Sequence, residues 1–483
     1  MTDRTLVQQL AAFAVEVRDR GLSPEVADDV RGRVLDMLGN ALAASTLREG
    51  DAVEPGNAVR SLVVRWGGDG RSRAIGVEHA LPAPSAALLN GTYAHALDFD
   101  DTHLPSILHP SASIVPAALA AAQDIGAGGR QLAEAVAVGD EICNRLGMAS
   151  YQEEIRNSVF FEHGLHATSI CGTVGGAAAA ALLYGLDADG LAHAMAIACS
   201  MGAGLIEANR TGGTVKRVHC GWAAHAGVIA ASMAQAGVTG PPTVFEGRFG
   251  FFEALSRSQY DPNAITDGLG ARWELVRTFY KPYPSNHFTH AGIDAAIALR
   301  SQHGLDTTDI VGIELGLPAP VMRSIAEPVE EKARPRSGYH GKFSGPFTVA
   351  TALVGGGGLG VYLDDFSDEH LADPERARLA SIVRCVVDDE ATAAFPHQFP
   401  AVLRVRTKTG ALLEHRVRVN RGGPQNPLSV EELALKYSLN ATRAVDAATA
   451  LAIRGSVERL DTVTDTTSLV PARVRALSDP AVH

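Results

Sequence analysis

Apolar positions recur at helical spacing through about the first 270 residues. Val26, Val30, Val34, Leu35 and Leu38 share one face of a helix. Ser23-Pro24-Glu25 opens that helix with a capping hydroxyl and a proline at the first helical position. Gln131–Leu146, Thr173–Leu183 and Leu191–Met201 are alanine-rich and separated by short joints that contain glycine. Small side chains let helices approach closely, and no fixed repeat period is present, so this part reads as a helical bundle and not a solenoid.

The pattern changes near Tyr280. Asp309–Leu317 and Ile382–Val387 read as strands, and Val402–Thr409 with Leu412–Val419 alternate around Thr409-Gly410 as a hairpin. Arg404, Arg406, Arg416 and Arg418 would line its wet face. Gly422-Gly423-Pro424 breaks the alternation, and Ser429 caps a return to helix at Val430–Tyr437. The fold expected is mainly α: a large helical-bundle domain over 1–275 and 424–483, with a smaller α+β lid domain inserted at 276–423. Gly355–Gly358 has no strand-to-helix GxGxxG or GxxxxGK frame, so it is expected to be a connection and not a phosphate loop.

A net charge of −12 argues against a general nucleic-acid binder. The five cysteines are scattered with no CxxC pair, which signals neither zinc nor an iron–sulfur cluster and suits reduced thiols in the cytoplasm. The first residues form an amphipathic pattern, not a signal peptide, and no apolar run is long enough to span a membrane. Only six of the 42 basic residues are lysines. A chain that prefers arginine this strongly has reason to keep lysine where a compact ammonium is needed.

Four stretches carry candidate chemistry. His95, Asp98-Phe99-Asp100-Asp101-Thr102-His103 and His109-Pro110-Ser111 crowd charge beside an apolar helix at Ala86–Leu97. If that helix continues, Asp98 and Thr102 share a face. His166 opens an alanine-rich helix, where free N–H groups favour an anion. Arg210–His219 sets Lys216 and Arg217 beside two glycines, a plausible carboxylate cradle. Lys281-Pro282-Tyr283-Pro284-Ser285-Asn286-His287 lies at the junction of the expected domains, where ligand sites are favoured. His95, Asp98 and His109 are an alternative metal set.

Together these stretches resemble the MmgE/PrpD family, whose members dehydrate, decarboxylate or epimerise small carboxylic acids. The resemblance rests on Ala96–Thr102 with His109-Pro110-Ser111, Gly213–Lys216, Lys281–Ser285, Lys342–Phe347 and Gly423–Ser429. It implies a helical domain with a lid, a homodimer, a site between the domains that needs no metal or cofactor, and a small polycarboxylate substrate. Its active-site positions match Asp98, Thr102, His109, His166, Lys216 and Lys281. Phe347 stands where relatives tend to carry tyrosine, and Asn286 where they carry histidine or another polar group, so the pocket wall differs.

The expected reaction is a lyase reaction through a carbanion or enediolate-like species. Asp98, His109, His166 and Lys216 are the expected catalytic residues. Thr102, Lys216, Arg217, Lys281, Asn286, His287 and Phe347 are the expected substrate contacts. Dehydration of a 2-methylcitrate-like acid is placed first, with decarboxylation of a cis-aconitate type, epimerisation and metal-dependent hydrolysis as alternatives.

Overall fold

The computed structural model describes residues 4–47, 54–208 and 213–475. They divide into two units, one of Met1–Thr278 with Tyr437–His483 and one of Phe279–Lys436.

The first unit is helical. It contains α1 (Leu6–Arg20), α2 (Pro24–Ala44), α3 (Pro55–Trp66), α4 (Ala83–Ala96), α5 (Ser111–Ile125), α6 (Gly129–Ala149), α7 (Ala167–Leu183), α8 (Ala188–Cys199) and α9 (His219–Gln235). The expected cap of α2 is present, with Ser23 Oγ accepting from Val26 N. Every residue of α7 is buried, and α5, α6, α8 and α9 pack around it. Such a helix cannot be amphipathic, which explains its run of Ala177–Ala181.

Glycine sets the helix spacing at two crossings. A Cβ on Gly175 of α7 would lie 2.5 Å from the Gly139 carbonyl of α6. A Cβ on Gly221 of α9 would lie 2.2 Å from Thr92 Oγ1 and 2.3 Å from the Leu88 carbonyl of α4. Glycine in a helix costs about 1 kcal/mol relative to alanine, and here close backbone contact offsets it. The second crossing presses the start of α9 against the end of α4.

The second unit holds α10 (His290–His303), β1 (Ile310–Leu317), α11 (Gly345–Val354), α12 (Pro374–Ser381), β2 (Val383–Val387), β3 (Ala401–Thr407) and β4 (Leu412–Val417). The strand order is β2-β1-β3-β4. β1 pairs parallel with β2 and antiparallel with β3, and β3–β4 is the expected hairpin. One face of the sheet is a charge ladder: Arg404 bonds Glu314 and Glu414, and Arg416 bonds Asp388. In the Gly355–Gly358 loop, the Gly357 N–H donates to Asp365 Oδ2 at 2.8 Å. A protein carboxylate thus takes the amide that a phosphate would need.

α13 (Val430–Ala444) and α14 (Ala447–Glu458) follow. The second unit runs to Lys436, beyond the expected 423. The residues after the hairpin stay with it because Arg421 bonds Glu432 and Gly422 N donates to the Asn426 carbonyl at 2.7 Å. Among the described residues no helix is long and apolar enough to cross a membrane.

Candidate active site

α4 stops at Ala96, earlier than a shared Asp98–Thr102 face requires. Asp98 turns the chain with φ +55°, a conformation that Asp tolerates better than most residues. The following loop closes on itself: His103 N donates to the Leu108 carbonyl at 2.8 Å. The closure returns His109 to the end of α4, its ring 5.7 Å from that of His95. His166 caps α7, its backbone N–H held by the Gly204 carbonyl at 3.0 Å. Its ring lies 5.8 Å from His95 and 5.0 Å from His219, the first residue of α9. Four imidazoles from four segments therefore meet at one point of the first unit.

Their charges differ. His95 Nδ1 lies 2.6 Å from Asp100 Oδ2, and both groups are buried. Burial alone would lower the His95 pKa, but the Asp100 carboxylate and Cys220 outweigh it and lift it to about 10. His95 is thus an imidazolium at neutral pH. His166 is held well below the ordinary imidazole value by burial and by the nearby charges of His95 and Lys216. Burial and the same two charges bring His219 to about 4. Lys216, half-buried on the 3-10 turn Val215–Val218, is the second cation of the group.

His109 is half-buried. Its Nδ1 lies 2.6 Å from the Asp101 carbonyl and 3.3 Å from Thr102 Oγ1. A carbonyl can only accept, so Nδ1 carries the hydrogen in the neutral ring and Nε2 is the basic nitrogen. The Asp101 side chain braces the same loop. It accepts from Ser111 Oγ at 2.6 Å and lies 3.4 Å from Arg33 Nη1. Burial raises Asp101 to about 6, with Arg33 and Ser111 opposing the rise. Ser111 Oγ also lies 3.0 Å from Asp140 Oδ2, and burial pushes Asp140 well above the usual carboxylate range.

The donor atoms of His95, Asp100 and Cys220 lie within 4.8 Å of one another. This trio differs from the alternative set of His95, Asp98 and His109.

Of the remaining expected residues, Arg217 belongs to the first unit and Lys281, Asn286, His287 and Phe347 to the second. Arg217 is buried with Nη1 3.9 Å from Glu54 Oε1, and Glu54 caps α3. In the second unit, Lys281 is buried. Asn286 Oδ1 accepts from Phe288 N at 3.0 Å and so caps a 3-10 turn. His287 Nε2 lies 2.8 Å from Asn420 Nδ2, and Phe347 packs against Phe366. These three have local structural partners. Arg210, Thr211 and Gly212 lie outside the described residues.

His219, Cys220, Arg33 and Asp140 were not singled out by the sequence. His219 ends the Lys216 stretch, so its position was in view, but nothing local marked its partner. The assembled group combines two fixed cations, two neutral imidazoles and one imidazole with a basic Nε2. It is suited to bind an anion and transfer a proton.

Residues 8–263 match the family model of the MmgE/PrpD N-terminal domain, and residues 283–462 that of the MmgE/PrpD C-terminal domain. The chain is 27% identical to the cis-aconitate decarboxylase-like protein oryM of Aspergillus oryzae, over 97% of this chain and 98% of that protein. It is 27% identical to the cis-aconitate decarboxylase of Aspergillus terreus, over 83% of each chain. To the human cis-aconitate decarboxylase it is 28% identical, over 83% of this chain and 81% of that one.

Proposed function

The chain belongs to the MmgE/PrpD family, and on that premise we propose that it is a lyase that removes CO2 from a small unsaturated tricarboxylate of the cis-aconitate type. The observation that carries this reading is the meeting of His95, His109, His166 and His219 with the charge of Lys216. The names of the relatives favour decarboxylation over the dehydration placed first on sequence grounds.

Lys216 holds a substrate carboxylate, with the charge of the His95 imidazolium behind it, and charge-assisted bonds are strongest where water is excluded. The C–C bond to one carboxylate breaks and CO2 leaves. Its electron pair delocalises into the adjacent double bond and carboxylate. His109, as imidazolium, delivers its Nε2 proton to carbon and becomes neutral. Imidazole suits this step because it titrates near neutral pH. Thr102 and Asp98 orient His109. Lys281 is proposed as a further carboxylate contact.

The test is product analysis by proton NMR and CO2 release with cis-aconitate, citrate and 2-methylcitrate. CO2 release from cis-aconitate supports the reading; water loss from 2-methylcitrate without CO2 overturns it. His109→Gln should lower kcat by about 10²–10⁴-fold, the usual contribution of an acid–base group. Lys216→Ala and Lys281→Ala should lose turnover while circular dichroism stays unchanged. Full activity in Lys216→Ala would remove the anion site as drawn.

A further inference from the structure

We propose that His219 is a positioning residue that locks His166 in the tautomer with its hydrogen on Nε2, making His166 a neutral hydrogen-bond donor to a substrate carboxylate. The inference deepens, and rests on, the carboxylate-lyase reading above.

The two rings meet Nδ1 to Nδ1 at 3.0 Å, both buried. Two facing nitrogens at this distance need one hydrogen between them: two would clash, and none would set lone pair against lone pair. With both rings neutral, one Nδ1 donates and the other accepts, so the tautomers are opposite. The groups whose charges act on the pair are His95 from α4 and Lys216 from the 3-10 turn, and His166 is also acted on by His109. All are cationic or able to become so, and they oppose a second proton on either ring.

The anion decides which ring donates. A substrate carboxylate held by Lys216 needs donors around it, and a lone pair from His166 Nε2 would repel it. His219 therefore supplies Nδ1–H, His166 Nδ1 accepts, and His166 Nε2–H points outward as a donor.

The surroundings fix this contact. His219 begins α9, which Gly221 presses against α4. The His219 carbonyl accepts from Ser169 Oγ at 3.1 Å, tying it to α7 one turn after His166. Gly204 closes the pair from the other side. A Cβ there would lie 3.1 Å from Ser169 Cβ, 3.2 Å from His166 Cβ and 3.4 Å from His219 Nδ1, at φ +148°. A side chain there would press on Ser169 and His166 by a few tenths of an ångström and would hold a φ that L residues rarely adopt.

The experiment is 15N NMR of the full chain labelled at histidine, saturated with the unreactive saturated acid propane-1,2,3-tricarboxylate, with signals assigned through His166→Gln and His219→Gln. The expected result is a neutral His166 bearing Nε2–H and a neutral His219 bearing Nδ1–H from pH 6 to 8. The reverse assignment, the same tautomer on both rings, or a charged His219 overturns the proposal. This readout needs a bound carboxylate but no turnover, so the expected pattern without CO2 release would count against the decarboxylation alone, and a carboxylate that does not bind would overturn both.

Kinetics supply the second readout. His219→Phe should raise KM roughly 10- to 100-fold, the worth of one hydrogen bond to a charged group, with the pH profile of kcat unchanged. A shifted kcat profile at constant KM would overturn the positioning role. If His219→Phe does not fold, Gly204→Ala keeps both rings and displaces them. A wild-type KM with the 15N pattern lost would reject the proposal.

Discussion

Ser111 has one hydroxyl hydrogen and two carboxyl groups to serve. Its Oγ lies 2.6 Å from Asp101 and 3.0 Å from Asp140. Arg33 stands beside Asp101, and Ser111 N also donates to Asp101 at 3.3 Å, so Asp101 is the ionised group. Asp140 then carries the proton and donates it to Ser111. Its Oδ1 meets no hydrogen-bond partner among the described residues, which suits a neutral acid far better than a buried carboxylate. Asp140→Asn keeps a donor in place of the O–H and abolishes the titration.

The sign follows from proton linkage. The folded pKa of Asp140 lies above the unfolded value of about 3.9. Its contribution to stability is complete below pH ~4 and is lost as pH rises toward the folded value. Once the unfolded group is ionised, above pH ~5, the native state holds one more proton than the unfolded state. Stability then falls by ~1.4 kcal/mol per pH unit until the folded group itself titrates. Asp101 contributes a slope of the same sign in both proteins. The stability of Asp140→Asn relative to the parent should therefore climb by ~1.4 kcal/mol per unit above pH 5. Trp66, Trp222 and Trp273 all lie in the first unit, so urea unfolding followed by tryptophan fluorescence reports the unit that contains Asp140. Parallel stability curves from pH 5 to 8 would refute the neutral Asp140.

Asp100→Asn should turn His95 neutral, because burial then acts without its carboxylate. Since the His95 pKa is raised to about 10, its contribution is complete below pH ~6.5 and lost through about pH 10. The stability gap between parent and variant, read by the same fluorescence, should narrow over that window. A gap independent of pH would remove the imidazolium. Gly221→Ala should cost about 1–3 kcal/mol by overpacking at the α4–α9 crossing, and should lower turnover by moving His219. Unchanged urea unfolding would contradict the close approach.

The helices were legible because their signals are local. Ser23-Pro24 marks the start of α2, and the alanine runs mark segments buried on all sides. The hairpin was legible from alternation around Thr409-Gly410. The end of α4 was less so: apolar spacing carries on past Ala96, and the left-handed turn at Asp98 is set by the closure between His103 and Leu108. His219 and Asp140 stayed hidden for another reason. His219 meets His166 across 53 positions, and Ser111 meets Asp140 across 29. Such contacts are made by packing, and no short motif encodes them.

The interruption of the helical unit sets an order on its assembly during synthesis. Tyr437 packs on α2, where a Cβ on Gly39 would lie 3.1 Å from its ring. Asn440 donates to Asn40 at 2.9 Å, and Asn40 donates to the Phe99 carbonyl at 3.1 Å. The loop that carries Asp98 and Asp100 is thus braced by residues translated long after it. All of residues 279–436 must leave the ribosome first, which takes roughly 10–30 s at about 5–20 residues per second. Through that interval the nascent chain holds His95, His109, His166 and His219 without their last support. The site is finished only after residues 437–440 have emerged.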